Sequence, residues 1–297
     1  MSSSATTVGF IGLGRMGAPM SARLVAAGHT VIGYDVSEAA RQRLAEAGGH
    51  DGGGLGGVAQ GARVVILMLP TSDVVASVLE DVALLDRLEP GAIVVDMSSS
   101  EPLRTRELAV TLEKRGIRML DAPVSGGVAG AEAGKLTIMV GGDASDLVEA
   151  APYLAELGQV VHVGPIGSGH AVKALNNLLS ATHLWATGEA MLIGERFGID
   201  PDVMLSVFNS SSGRSGSTEN KWPKFIIPGT FNSGFGLRLM LKDMNIAIQL
   251  AQQVGAPDAL GLCARDLWDR ASQDLPATAD HTEIARWLAN GVGSGGK

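Results

Sequence analysis

The sequence describes an α/β domain followed by an all-α domain, and three observations carry that reading. Short apolar runs alternate with amphipathic stretches through the first half of the chain. A glycine-rich turn joins the first apolar run to the first amphipathic stretch. Beyond Gly169 the period-two pattern gives way to helical spacing. Strand alternating with helix builds a mostly parallel, doubly wound sheet covered on both faces.

The elements follow in order. Residues 8–11 form a strand and 16–27 a helix; 31–35 form a strand and 38–47 a helix. Strands follow at 64–69, 93–96, 119–121 and 136–140, with helices at 74–79 and 103–115 between them. One long alanine-rich helix is expected over 170–197, its apolar positions including Leu175, Leu178, Leu179, Trp185 and Met191. Shorter helices follow at 201–208, 237–255, 259–272 and 279–288. The join falls near Gly164-Pro165, giving domains 1–165 and 166–297. The stretch 48–57 holds seven glycines and is expected to be a mobile loop. Both termini are expected to fray.

Composition bounds the partners. At 297 residues the chain is long enough for two domains. Its mean hydropathy of +0.21 is high, yet no apolar run approaches the ~20 residues that span a bilayer, so no membrane is expected. The net charge of −8 offers no help toward a phosphate backbone, which disfavours nucleic acid. Cys263 is the one cysteine, so no intrachain disulfide forms. The first residues carry neither a charged nor an apolar signal segment. Together these features point to the cytoplasm.

The run Gly12-Leu13-Gly14-Arg15-Met16-Gly17 sits between strand and helix. Gly12 permits the tight turn, Gly14 lets backbone approach a pyrophosphate, and Gly17 lets helix pack on strand. The helix start then presents N–H groups to phosphate oxygens. Asp35 ends the second strand, 18 positions past Gly17. A carboxylate there accepts ribose hydroxyls and repels a 2′-phosphate, which predicts NAD over NADP. Leu69 and Pro70 end another strand and flank the nucleotide; Ser99 follows a further strand and is placed near the nicotinamide ribose or amide.

A second constellation concerns the substrate. Ser125, Gly126 and Gly127 turn sharply after a strand ending in Asp121 and form a cradle of N–H groups for an anion. Lys173 and Asn177 are about one helical turn apart and share a helix face. A lysine among Ala171, Val172, Ala174 and Leu175 is expected to be buried, and desolvation lowers its proton affinity enough for acid–base work. Lys242-Asp243 supplies a further cation and its counter-ion, and Phe235 an apolar cover for the nicotinamide. Arg214 and Ser217 are candidates for binding added substrate oxygens, with a loop-anchoring arginine as the alternative. His170 is either a proton relay or a helix-start residue. The histidines show no metal-ligand spacing, so no metal is expected.

These motifs together resemble the β-hydroxyacid dehydrogenases, the group of 3-hydroxyisobutyrate dehydrogenase and tartronate semialdehyde reductase. The similar segments are 9–17, 121–127 continuing through 134–137, 167–177, and Lys242-Asp243. The resemblance implies a Rossmann domain, a helical domain built on a long interdomain helix, and homodimers or homotetramers. It implies Lys173 as catalytic; Ser125, Gly126, Gly127 and Asn177 around a small β-hydroxy acid; and Leu69, Pro70, Ser99 and Lys242 at NAD. One departure stands out. After Ser211-Ser212-Gly213-Arg214, where 3-hydroxyisobutyrate dehydrogenases carry a tryptophan, this chain has Ser215-Gly216-Ser217. A bulky pocket wall is then missing, which leaves room for a larger or more polar acid. A 6-phosphogluconate dehydrogenase, an imine reductase and a non-catalytic NAD-binding relative share the architecture; chain length disfavours the first and Lys173 the other two.

Overall fold

The computed structural model describes residues 7–291. The expected frayed ends lie outside those residues, apart from Thr7, which opens the first strand, and Gly291. The chain divides into two compact units at Lys173/Ala174.

The first unit is a Rossmann-type sheet. Its strands are β1 (Thr7–Ile11), β2 (Thr30–Tyr34), β3 (His50–Asp51), β4 (Val64–Leu67), β5 (Ile93–Asp96), β6 (Arg118–Asp121), β7 (Val124–Ser125), β8 (Leu136–Gly141) and β9 (Gly158–Gly164). They lie in the order β3-β2-β1-β4-β5-β6-β8-β7, with β9 also paired to β8. The first six are parallel. β8 runs antiparallel to β6 and β7. The order reverses between β1 and β4, and the crevice at such a switch point is where open α/β sheets bind ligands.

Period-two alternation divides the core between the two faces. Val8, Phe10, Val64, Ile66, Ile93 and Val95 pack on one face with Met20 and Leu24 of the helix Gly17–Ala26. Val65, Leu67 and Val94 pack on the other with Val75 and Leu79 of the helix Ser72–Leu79 and Leu108 and Leu112 of Pro102–Glu113.

The stretch 48–57 is not a structureless loop: it contains β3 and the short helix Leu55–Val58, because Gly56 and Gly57 let backbone segments pack at distances a side chain would forbid. β9 is an edge strand none of whose residues is fully buried, so its valines mark no core face in the sequence. The helix Ala144–Ala155 was masked by Pro152 inside it.

The second unit is helical. The long helix Ser168–Phe197 carries Ala181, Leu184, Trp185 and Met191 into a core shared with Leu237, Met240 and Met244 of Leu237–Gln253 and Ala264, Trp268 and Ala271 of Ala259–Asp274. Leu175 and Leu179, expected on the buried stripe, are exposed at 45% and 58%. They belong to a second apolar stripe with Val172, Ile193 and Phe197. Residues 217–226, unassigned from sequence, form a π-helix, Ser217–Ile226, with Trp222 and Ile226 buried.

Candidate active site

The glycine-rich turn has the geometry a pyrophosphate needs. Gly12 has φ +95°, and a Cβ there would collide with the Met68 carbonyl. A Cβ on Gly17 would collide with the Gly12 carbonyl. Gly14 is different: a Cβ would meet nothing within 4 Å, so its backbone faces open space. The helix Gly17–Ala26 has no side-chain cap and no acidic residue in its first turn. Its dipole end is thus open to an anion, although Ala18 N–H already donates to the Gly14 carbonyl at 2.9 Å and Pro19 has no N–H. Arg15 is exposed and Met16 half-buried beside this turn. Leu13 is fully buried in the sheet core, so only its backbone is presented at the turn.

Asp35 stands half-buried just past β2. Its carboxylate accepts the N–H of Leu13 at 2.8 Å and of Ser37 at 2.8 Å. Arg41, passed over in the sequence, donates to the Asp35 carbonyl at 2.7 Å, pairs with Asp51 at 3.0 Å, and lies 5.6 Å from the Tyr34 ring centre. Its helix-face position six residues on was the available signal.

At the next strand ends, Asp96 organises a loop. Its oxygens accept Ser98 N–H at 3.0 Å and Ser100 Oγ–H at 2.9 Å, and Ser98 Oγ accepts Leu69 N–H at 2.9 Å. Leu69 and Ser99 are half-buried and Pro70 is exposed around this loop. Asp121 is wholly buried; Ser125 and Gly127 are half-buried and Gly126 exposed. Gly126 and Gly127 have φ of +131° and +63°, backbone that only glycine adopts without strain.

Lys173 is 7% exposed, on the first turns of the long helix. His170 is fully buried in the first turn of the same helix. Asp121 accepts the backbone N–H of Gly167 at 2.7 Å and of His170 at 2.8 Å. Gly169 is held close against the sheet: a Cβ would collide with the Met139 carbonyl and stand 2.9 Å from Asp121 Oδ2. Asp96, Asp121 and His170 were not singled out as a cluster. Their signal was two strands ending in Asp at paired register positions.

In the helical unit, Asn177 is 5% exposed and donates through Nδ2 to Asp243 Oδ2 at 2.6 Å. Lys242 Nζ lies 3.2 Å from Asp243 Oδ1. Arg214 is largely exposed and pairs with Glu219 at 2.8 Å, while Ser217 is buried at 3%. Phe235 packs edge-on to His281, ring centres 5.7 Å apart. Its loop is gathered by Asp280, which accepts Ser233 Oγ–H at 2.8 Å, Gly234 N–H at 2.8 Å and Phe235 N–H at 3.2 Å. Asp280 was also missed; its signal was the Asp-x-x-Glu pattern before the helix Glu283–Ala289. Burial, reinforced by the Lys221 ammonium, lowers His281 to about 4. Among the described residues no His/Cys/Asp/Glu group is arranged to hold a metal ion.

A glycine turn under an uncapped helix at the switch point of a Rossmann sheet, joined to a helical unit, defines a nicotinamide-dinucleotide-dependent oxidoreductase. Residues 7–164 match the NAD binding domain of 6-phosphogluconate dehydrogenase, and 167–288 match the NAD-binding family of NADP-dependent 3-hydroxyisobutyrate dehydrogenase. A probable mitochondrial 3-hydroxyisobutyrate dehydrogenase of Dictyostelium discoideum is 39% identical over 90% of this chain and 85% of its own length. An NAD-dependent L-serine dehydrogenase of Pseudomonas aeruginosa is 39% identical over 88% of this chain and 90% of its own. The structure of a Mycobacterium tuberculosis 3-hydroxyisobutyrate dehydrogenase with L-serine superposes with a TM-score of 0.90 at 35% identity, covering 96% of this chain and 99% of that one. The chain belongs to the β-hydroxyacid dehydrogenase family, with 3-hydroxyisobutyrate dehydrogenase among its relatives.

Proposed function

We propose that this protein oxidises the hydroxyl of a small β-hydroxy acid with NAD, using Lys173 as general base. The carrying observation is a lysine with only 7% of its surface exposed, at the start of the helix that also bears Asn177. An ammonium is seldom so enclosed without a task. NAD, when bound, accepts hydride from the hydroxyl-bearing carbon. Lys173, as the neutral amine, takes the hydroxyl proton as that hydride departs, and in the reductive direction its ammonium returns the proton to a semialdehyde oxygen. Asn177, steadied by Asp243, orients the lysine or the substrate. Ser125 and the N–H groups of Gly126 and Gly127 receive the carboxylate. Asp35 favours NAD over NADP by repelling a 2′-phosphate.

The relatives' substrates, 3-hydroxyisobutyrate and L-serine, share a primary hydroxyl one carbon from a carboxylated carbon, and that is the substrate class assigned here. Gly216, in place of a bulky wall, favours the larger or more polar members, with Arg214 able to meet an added oxygen once freed from Glu219. The exposed stripe on the long helix supports a homodimer or homotetramer. No helix among the described residues is long and apolar enough to cross a membrane; the cytoplasm is the proposed compartment.

The test is NADH formation by the purified protein with 3-hydroxyisobutyrate, L-serine, glycerate, threonate and phenylserine. Lys173→Ala should lower kcat by about 10³-fold, the scale of a lost general base, while NAD still binds. Near-normal turnover would remove Lys173 from the chemistry, and no NADH with any acid would favour a non-catalytic NAD-binding role.

A further inference from the structure

The long helix begins in an unusual way. Its N-terminal N–H groups have no intrahelical partner and ordinarily bond a local Ser, Thr, Asp or Asn. Here Gly167 precedes the helix and has no side chain to offer. The cap comes instead from Asp121, 46 positions earlier, at the end of β6. Both carboxylate oxygens are committed, one to Gly167 N–H at 2.7 Å and the other to His170 N–H at 2.8 Å. A carboxylate at a helix N-terminus is favoured by charge and dipole together. This one is wholly buried, where such bonds are strongest.

Three glycines make the approach possible. Gly167 has φ +86°, and a Cβ on it would stand 2.8 Å from the Pro102 carbonyl. Cβ atoms on Gly141 and Gly169 would press on Asp121 itself, the latter at 2.9 Å. His170 is a second anchor. Thr105 gives its one hydroxyl proton to the Glu101 carbonyl at 3.1 Å, so its oxygen accepts from His170 Nδ1–H at 2.8 Å. The other ring nitrogen lies 3.6 Å from Asp96 Oδ2. The first turn of the helix is therefore tied to the end of β6 and to the helix Pro102–Glu113.

We propose that Asp121, seconded by His170, is a positioning residue for Lys173. The lysine follows His170 by three residues, less than one turn, so a rigid first turn transmits its placement directly to the amine. The same strand end runs through Ala122, Pro123 and Val124 into Ser125-Gly126-Gly127. One buried carboxylate thus keeps the acid–base group and the carboxylate cradle in mutual register. Asp96 does the same for the Leu69 and Ser99 edge. Register of this kind matters because a misplacement near 1 Å costs about 10²-fold in rate. The inference rests on the proposed role of Lys173.

The experiment compares Asp121→Asn with the full-length wild type, using L-serine and 3-hydroxyisobutyrate as probes. Asparagine keeps the size but turns one accepting oxygen into a donor facing an N–H. The expected result is a fall in kcat of about 30-fold, within the range set by small misplacements, with KM for NAD changed less than about threefold. The acidic limb of the kcat–pH profile should also move, because the amine's surroundings change. A kcat within twofold of wild type, a loss confined to KM for NAD, or an unmoved acidic limb overturns the proposal. Should Asp121→Asn not fold, His170→Gln carries the test, since it keeps the backbone bond to Asp121. It should lower kcat by about 3- to 10-fold and move the same limb; an unchanged profile overturns the proposal. Lys173→Ala separates the two readings: an active Lys173→Ala ends the general-base role, whereas an inactive Lys173→Ala beside an unimpaired Asp121→Asn ends only the positioning role.

Discussion

The Asp35 carboxylate accepts the backbone N–H of Leu13 at 2.8 Å, tying the end of the second strand to the glycine-rich turn. Asp35 therefore shapes the turn in addition to its proposed role at the ribose. Asp35→Ala removes both a source of repulsion toward a 2′-phosphate and an anchor worth about 1.5–3 kcal/mol, typical of a bond to a charged group. NAD affinity should fall by about tenfold or more, and the ratio of NAD to NADP affinity should narrow. Titrating both nucleotides checks this; an unchanged ratio would remove Asp35 from cofactor choice.

Gly169 tests the close seat of the long helix on the sheet. In an exposed helix interior, Gly→Ala stabilises by about 1 kcal/mol. At Gly169 the added methyl meets the Met139 carbonyl and Asp121, neither of which yields without moving backbone. Gly169→Ala should thus destabilise by roughly 1–3 kcal/mol, as overpacking does. Gly216→Ala is the control, since a Cβ there meets nothing within 4 Å. Equal denaturation midpoints for the two variants would contradict the packing described.

His281 makes the helical unit sensitive to acid. Its native value is lowered to about 4 from 6.5, first by burial and then by the Lys221 ammonium. The unfolded chain takes up the proton below about pH 6.5 while the native state refuses it until near pH 4. The stabilisation is complete above the unfolded value and is lost as pH falls through this window, by about 2 kcal/mol at pH ~5. All four tryptophans, Trp185, Trp222, Trp268 and Trp287, lie in this unit. Tryptophan fluorescence in denaturant at several pH values reads it directly. His281→Gln should flatten the dependence between pH ~7 and ~5, and an equally steep curve would exonerate His281.

Arg214 and Glu219 form an ion pair at the surface, where such pairs contribute about 0–1 kcal/mol. Arg214→Ala should leave the unfolding midpoint almost unchanged. If Arg214 meets an added substrate oxygen, the variant should reorder the rates with threonate and 3-hydroxyisobutyrate. The same ranking in both proteins would leave Arg214 as a loop anchor.

The residue order alone determined the alternation of strands and helices, the glycine turn, the acid after β2 and the lysine–asparagine spacing. Each is local, set by side-chain period, by glycine's backbone freedom or by helix pitch, and needs no partner distant in the chain. Tertiary structure decided the rest. That Asp121 caps a helix beginning 47 positions later, that His170 is enclosed between strand ends, and that Asp280 gathers the Phe235 loop all depend on segments brought together by folding. Folding likewise turned Leu175 and Leu179 outward, because a helix with two apolar stripes does not say which one its neighbours will cover. Local rules recognise groups able to bind; only the packed chain determines which partners those groups meet.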